Sequence, residues 1–567
     1  MIERTLCGLA RLYPWAVDTS DDLDRALGFL GADLEPQTVV RAGYGAALAC
    51  LPVVVVAVTL APPGMGAVLG VVGLVGIASV THAIHTGPRV LATARRTRAL
   101  GAAPALVSRA VLRMRITPAV ETAATFAADT GDGPLADSLR DHVRRAAGTP
   151  RSGLSSFTEE WREWFPAVRR SLLLVEAAGT APAGERERTL DRGLDAVLDG
   201  ARDRMAEFAN SLQGPSTALY AFGVLLPLAL VALLPAARAA GVAVPLPVVV
   251  LLYDLLLPGV ILAASVWLLV RRPVTFPPPT VRRDHPAVPD RWWAPYVGGL
   301  LVAVTGAVLA SRFVAPWTGP LVAVGGFAGT AFLGRYRPIK TVRDRVRAVE
   351  RGLADALYHV GRRVSEGRAV EVAIESAADE VTDATAEVLA DAAHQQRQLK
   401  VGVYEAFLGE HGALAAVPST RARSTATLLA LAAREGRPAG GAIVAMADHL
   451  DGLGEVEREA RHEIRMVTST LANTASVFAP MVAGATVALA DGMEFAGELA
   501  ASGGPGTGEL GLAVGAYVLV LAVLLSTLST GLARGLDRAL VGYRVGWTLL
   551  AATTTYVATF HAVGLFV

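Results

Sequence analysis

Long apolar runs constrain this chain more than any other feature of it. A helix needs about 20 mostly apolar residues to cross the hydrocarbon core of a bilayer. Candidates stand near 43-63, 65-85, 216-238, 246-270, 294-314, 317-334, 472-491, 509-530 and 545-566. The fifth and sixth are joined by only a few residues around Pro316 and Trp317, and the sixth is short and rich in glycine. With 52% hydrophobic and 18% charged residues among 567, and a mean hydropathy of +0.43, the apolar surplus exceeds what a soluble domain hides. Most of it is expected to meet lipid.

Arginine sets the expected orientation, because cytoplasmic loops retain basic residues. Arg271, Arg272, Arg282, Arg283 and Arg291 fill the short loop 271-293, and Arg534, Arg538 and Arg544 follow the eighth span. The stretch 491-510 holds no Lys or Arg, and the link Pro62-Pro63-Gly64 is uncharged. Nine spans then alternate with the N-terminus inside and the C-terminus outside. The expected layout is a cytosolic segment 1-42, spans at 43-85, a cytosolic domain 86-213, spans at 214-270, the Arg-rich loop, spans at 294-334, a second cytosolic domain 335-470, and spans at 471-567. Residues 1 to 40 are mixed and charged (Arg11, Asp21, Asp22, Asp24, Arg25), so no cleavable signal peptide is expected and the first span directs insertion.

Charge excludes some partners. The 52 basic and 51 acidic residues leave a net +1, which gathers no nucleic acid over long range. Only Lys340 and Lys400 among the basic residues are lysine, a hint of a GC-rich prokaryotic genome. Cys7 and Cys50 allow at most one bridge and have no metal-ligand spacing.

Both polar segments read as helix. Leu194, Val197, Leu198, Ala201, Met205, Phe208 and Leu212 make one apolar stripe, and Leu353, Leu357, Val360 and Val364 another. Acidic and arginine side chains fill the opposite faces, as on solvated surfaces of a bundle.

The two segments also repeat each other. Arg113, Val120, Glu121, Ala123, Ala127, Ala128 and Asp129 recur at one offset as Arg363, Val370, Glu371, Ala373, Ala377, Ala378 and Asp379. After a six-residue insertion, Pro182, Gly184, Leu194, Asp195, Arg202 and Glu207 align with Pro438, Gly440, Leu450, Asp451, Arg458 and Glu463. A duplication follows, each copy opening on a helical hairpin. In the first, Thr117-Pro118 reads as the cap and first residue of the next helix; in the second, Gly367 within Ser365-Glu366-Gly367-Arg368 ends the helix before it.

The run from Leu353 to Glu375, LADALYHVGRRVSEGRAVEVAIE, resembles the signature of the type II secretion system F-domain family, the membrane platform proteins of type IV pili, archaella and related secretion systems. Two such domains separated by several spans look most like the archaeal form. The resemblance covers most of 90 to 530. It departs in the first copy, where Ile116-Thr117-Pro118 stands in place of Glu366-Gly367-Arg368, so the turn signature belongs to the second copy alone. The resemblance implies a non-catalytic platform in the cell membrane. It would dock a cytosolic assembly ATPase, couple its motion to extraction of pilin-like subunits, and possess no cofactor. A homo-oligomer is compatible with it.

Arg362, Arg363, Glu366, Arg368 and Glu371 surround one hairpin tip, which suits partner docking through polar contacts that set register; a solvated turn is the other reading. Asp254 sits mid-span, where an ionised carboxylate is costly. A functional role and a protonated carboxyl facing another helix are both open. His82 and His85 share a helical face without further ligands, so no metal site is expected. Gly66, Gly70, Gly73 and Gly76 favour close helix packing. The run 503-508 lacks the Lys-Ser/Thr of a phosphate loop, and Ser152, Ser155 and Ser156 lack the partners of an acyl-transfer site. The expected fold is therefore an all-α polytopic membrane protein with about nine transmembrane helices and two repeated cytosolic helical bundles, and not an enzyme. A transporter or channel with duplicated topology is the alternative.

Overall fold

The computed structural model describes residues 2-61, 66-131, 133-149, 152-227, 229-230, 233, 245-272, 281, 285-289, 291-435, 439-495 and 506-566. The turn at 62-64, Arg282, Arg283, Pro438 and 503-505 lie outside them, as does most of 231-244. Among the described residues every regular element is an α-helix or a π-helical turn.

Among the described residues six helices are long and apolar enough to cross a membrane: Pro36–Thr59, Leu69–Ile116, Leu246–Arg271, Ala294–Phe313, Gly440–Gly492 and Thr507–Arg534. The sequence reading has nine. Stretch 216-238 runs partly outside the described residues. The other two, 317-334 and 545-566, are helical parts of Thr318–Ser365 and Arg538–Gly564. Gly319, Gly325, Gly326, Gly329 and Gly334 dilute the first, and Thr553, Thr554, Thr555 and His561 the second.

Thr507–Arg534 is the hub of the apolar layer. In its most apolar window 61% is buried, against 17% for Ala294–Phe313 at the periphery. Leu301 and Val308 on that outer helix are exposed, and Trp292 and Trp293 beside Arg291 stand at its start, where aromatic rings favour the interface of a bilayer. Arg538–Gly564 crosses Thr318–Ser365 through two glycines. A Cβ on Gly546 would stand 2.8 Å from the Gly329 carbonyl oxygen, and one on Gly329 would stand 3.0 Å from that of Gly546. The backbones therefore touch, as small residues permit.

The first polar segment forms Ala103–Ile116, Val120–Thr130, Pro134–Ala146, Leu154–Glu160, Pro166–Ala178 and Ala183–Tyr220. The second begins in the distal half of Thr318–Ser365 and continues as Val370–Glu380, Ala384–Leu399, Val403–Leu408, Thr420–Glu435 and Ala439–Asn473. Each has a one-turn or two-turn helix fourth in order and ends in its longest return helix. The stripe residues Val197, Leu198, Ala201, Met205, Phe208 and Leu212 are buried, as are Leu353, Leu357, Val360 and Val364. The bundles touch: Leu112 of the first lies in the core of the second. Ser108 Oγ stands 3.8 Å from Met446 Sδ, and Arg202 pairs with Glu455 at 3.2 Å.

No loop separates either bundle from the apolar layer at three of the junctions. Thr318–Ser365 is one helix of 48 residues, about 72 Å at 1.5 Å per residue. Leu69–Ile116 and Gly440–Gly492 likewise run from one region into the other.

One local expectation is corrected. Thr117 is not the N-cap of the second helix of the first bundle, nor is Pro118 its first residue: the cap is Ala119, with no side-chain bond. Proline disfavours helical backbone in the residue before it. Thr117 is accordingly extended, and helix resumes only at Val120.

Candidate functional site

The tip between Thr318–Ser365 and Val370–Glu380 is built around Gly367. Its φ of +97° belongs to the left-handed region that glycine enters without a Cβ penalty. The Gly367 N–H donates to the Val364 carbonyl at 2.9 Å and the Arg368 N–H to that of Arg363 at 3.1 Å. This pair of bonds closes the last helical turn and satisfies two carbonyls that the helix leaves without donors. Gly367 is thus required by the backbone, whatever docks there.

The charged residues divide into two groups. Arg363, partly covered, pairs with Glu380, which also receives His359 at 2.7 Å. This link ties the two helices of the hairpin together. Arg362 pairs with Glu366 one turn on, at 3.2 Å, and both remain exposed. Arg368 and Glu371 are exposed as well. Arg362, Glu366, Arg368 and Glu371 therefore present alternating charge at the tip, with Arg363 and Gly367 holding its shape. Tyr358 and Val372 flank them and are about half exposed. The sequence reading passed over both; an aromatic side chain on the polar face of a helix was the available signal.

Asp254 lies in a π-helical turn, Leu251–Leu256, inside Leu246–Arg271. Its Oδ1 is buried and has no hydrogen-bond partner among the described residues. The adjacent Tyr253 is fully buried, and its hydroxyl donates to the Pro227 carbonyl at 2.9 Å. Tyr253 meets Tyr517 edge to face, with centroids 5.5 Å apart, and the Tyr517 hydroxyl donates to the Gly223 carbonyl at 2.7 Å. A proline follows the wide turn. Leu257 donates five residues back to Leu252, and Pro258 follows with no N–H to give. The same arrangement precedes Pro227, where Leu226 bonds to Ala221, and Pro480, where Ala479 bonds to Thr474. A π turn often marks function, but the same turn precedes Pro227 and Pro480 as well, so it does not by itself single out Asp254.

Two further sequence candidates have structural roles. His85 Nε2 lies 3.0 Å from the Val40 carbonyl, and its ring packs on Gly43. Ser152 donates to Glu176 at 3.0 Å. Among the described residues no group of three or more His, Cys, Asp or Glu side chains is placed to hold a metal ion.

Compared with known proteins, the chain matches no family model, no curated protein and no solved structure.

Proposed function

We propose that this chain is a non-catalytic, multi-pass membrane platform of the type II secretion F-domain kind. It docks a cytosolic assembly ATPase through the tip at 362-371 and couples the motion of that partner to extraction of pilin-like subunits. In this reading nine spans place both bundles in the cytosol, and the two bundles descend from one duplicated unit. Support for the duplication comes from the shared order of helices and the residue matches at constant offset.

The observation that carries the reading is the uninterrupted helix Thr318–Ser365. A push at its exposed tip travels along one helix to the apolar layer without a loop to absorb it, the hydrogen-bond ladder being broken only where Pro338 has no N–H to give. Four exposed charges at the tip, two of each sign, suit a polar contact that sets register with a motor. Charge reversal at Arg362 and Arg368 is the sharper test, since reversing Arg363 also breaks its pair with Glu380. R362E/R368E is expected to lower binding of the purified assembly ATPase by at least about tenfold, roughly 1.4 kcal/mol. Membrane insertion and thermal stability should be unchanged. Filaments assembled at wild-type levels by this variant remove the site from the proposal.

A transporter or channel is the second reading, favoured by one observation: Asp254 has a buried oxygen inside a span with no partner among the described residues. D254N separates the two. A transporter loses flux, whereas a platform assembles filaments as before.

A further inference from the structure

Where the second bundle meets the apolar layer, five helices bring cations together that the platform reading leaves without a task. Arg272 follows the span Leu246–Arg271, and Arg534 ends Thr507–Arg534. Arg544 stands on Arg538–Gly564, Arg343 and Arg347 on Thr318–Ser365, and Arg461 on Ala439–Asn473. These elements pack against one another. Tyr336 contacts Gly542, Lys340 lies over the Tyr543 ring, and Arg343 forms an ion pair with Asp537. Arg347, one turn beyond Arg343 on the same face, lies within Coulombic reach of Arg534.

Some of these cations are occupied. Arg272 Nε donates to the Leu532 carbonyl at 2.6 Å and so caps the end of the hub helix. Asp537, buried, accepts from the Ala539 and Leu540 N–H groups as well as pairing with Arg343. Glu457 takes Arg461, and Arg421 at 3.6 Å; Asp344 takes Lys340. Glu350 accepts from Ser419 at 2.6 Å. The carboxylates of the seam are thus engaged. Arg347, Arg534 and Arg544 make no ion pair or side-chain hydrogen bond among the described residues. Arg534 lies within Coulombic reach of three cations, Arg347, Arg461 and Arg544, and of one carboxylate, Asp344. Crowding is felt outside the spans too. Burial, then Arg461, pushes the Arg272 guanidinium down to about 10 against the pull of Glu457, and burial, then Arg461, also lowers that of Arg347, outweighing the opposing pull of Asp344, Glu457 and Glu350.

We propose that Arg347, Arg534 and Arg544, backed by Arg272 and Arg461, form a binding site for a phosphate group, supplied by an anionic lipid headgroup or as free phosphate. Guanidinium forks match phosphate oxygens in pairs, and a bound dianion or phosphodiester relieves the repulsion among the three unpaired cations. The depth fits, since two of the arginines stand at the ends of apolar spans, the level that headgroups occupy. Arginines that only fix topology have no need to converge from separate helices. This site is independent of the ATPase-docking reading and survives its failure.

The test uses the purified full-length protein in nanodiscs of phosphatidylcholine, alone or with phosphatidylglycerol, and follows the thermal unfolding midpoint and the phospholipid retained after detergent extraction. Phosphatidylglycerol is expected to raise the midpoint by several degrees. In R347Q/R534Q/R544Q that rise should vanish, with retention falling about fivefold per arginine. A rise with phosphatidylglycerol alone assigns the site to a headgroup; an equal rise from inorganic phosphate in phosphatidylcholine assigns it to the free ion. R347K/R534K/R544K keeps the charge and guards against misfolding, and should respond more weakly than the wild type but more than the glutamine variant. R169Q/R170Q/R192Q, which removes exposed charge from the first bundle, should respond like the wild type. The proposal is overturned if neither phosphate source moves the midpoint, if the seam variant responds fully, or if the control variant loses as much.

Discussion

His142 shows how one residue carries a pH dependence into the fold. Its ring is buried in the first bundle, with Arg145 donating to Nδ1 at 2.8 Å and Nε2 lying 3.1 Å from Glu160. A nitrogen that accepts from guanidinium holds no proton, so the ring is the neutral tautomer that donates from Nε2 to the carboxylate. Burial first, and then Arg145, lower its pKa, and together they outweigh the opposing pull of Glu160 and Asp141. Because the unfolded chain protonates this ring near pH 6.5 and the folded one does so only at lower pH, the unfolded state binds more protons over that interval. Stability therefore falls as pH drops through about 6.5 and levels off below the folded pKa. Midpoints measured from pH 8 to 5 should show this slope in the wild type and a shallower one in H142Q; identical slopes refute the assignment. Nothing in the sequence around His142 announced this role, since its partners come from a turn of its own helix and from the next helix.

At the scale of the element, the three π turns follow one rule. The residue before Pro227, Pro258 and Pro480 bonds five back instead of four, leaving a carbonyl for another helix to satisfy. Tyr517 serves that of Gly223, which Pro227 cannot reach for want of an N–H. Removing the hydroxyl in Y517F is expected to cost about 1–3 kcal/mol, the price of an orphaned buried acceptor. With P227A in the same chain the backbone regains a donor, and the cost of Y517F should shrink by more than half. Additive losses in this double-mutant cycle, read from unfolding in detergent, would show that the hydroxyl and the proline act separately. The prolines were legible in the sequence; the π turns were not. Pro52, Pro88, Pro215 and Pro338 also stand inside helices, without a π turn. Proline permits the wide turn, and what packs alongside decides whether it forms.

Across the molecule, rigid helices join bundles that rest directly on each other. Helix Ala103–Ile116 sends Leu112 into the core of the second bundle and puts Ser108 against Met446. If the partner motor works by displacing one bundle against the other, this contact must slide. In a C7S/C50S background, which removes both native cysteines, bridging S108C to M446C should abolish filament assembly while membrane insertion persists, with activity returning on reduction. Assembly that proceeds in the bridged protein would mean that the bundles move as one body.

The sequence by itself determined the helical class, six of the apolar stretches and the stripes that became the cores of the polar segments. Each of these is a local periodicity, and burial of a stripe is satisfied by any complementary surface. Gly367 was legible for the same reason, because a left-handed turn depends on one residue and its immediate neighbours. Tertiary structure alone separated Arg363, tied to Glu380, from Arg362, exposed at the tip, although the two are adjacent in sequence. It also brought Arg272, Arg347, Arg461, Arg534 and Arg544 to one seam, and set Tyr517 beside the carbonyl that a proline 290 residues earlier had left bare. Charge and hydrogen-bond pairing depend on distances between helices, and no spacing along the chain encodes those until the cores have packed.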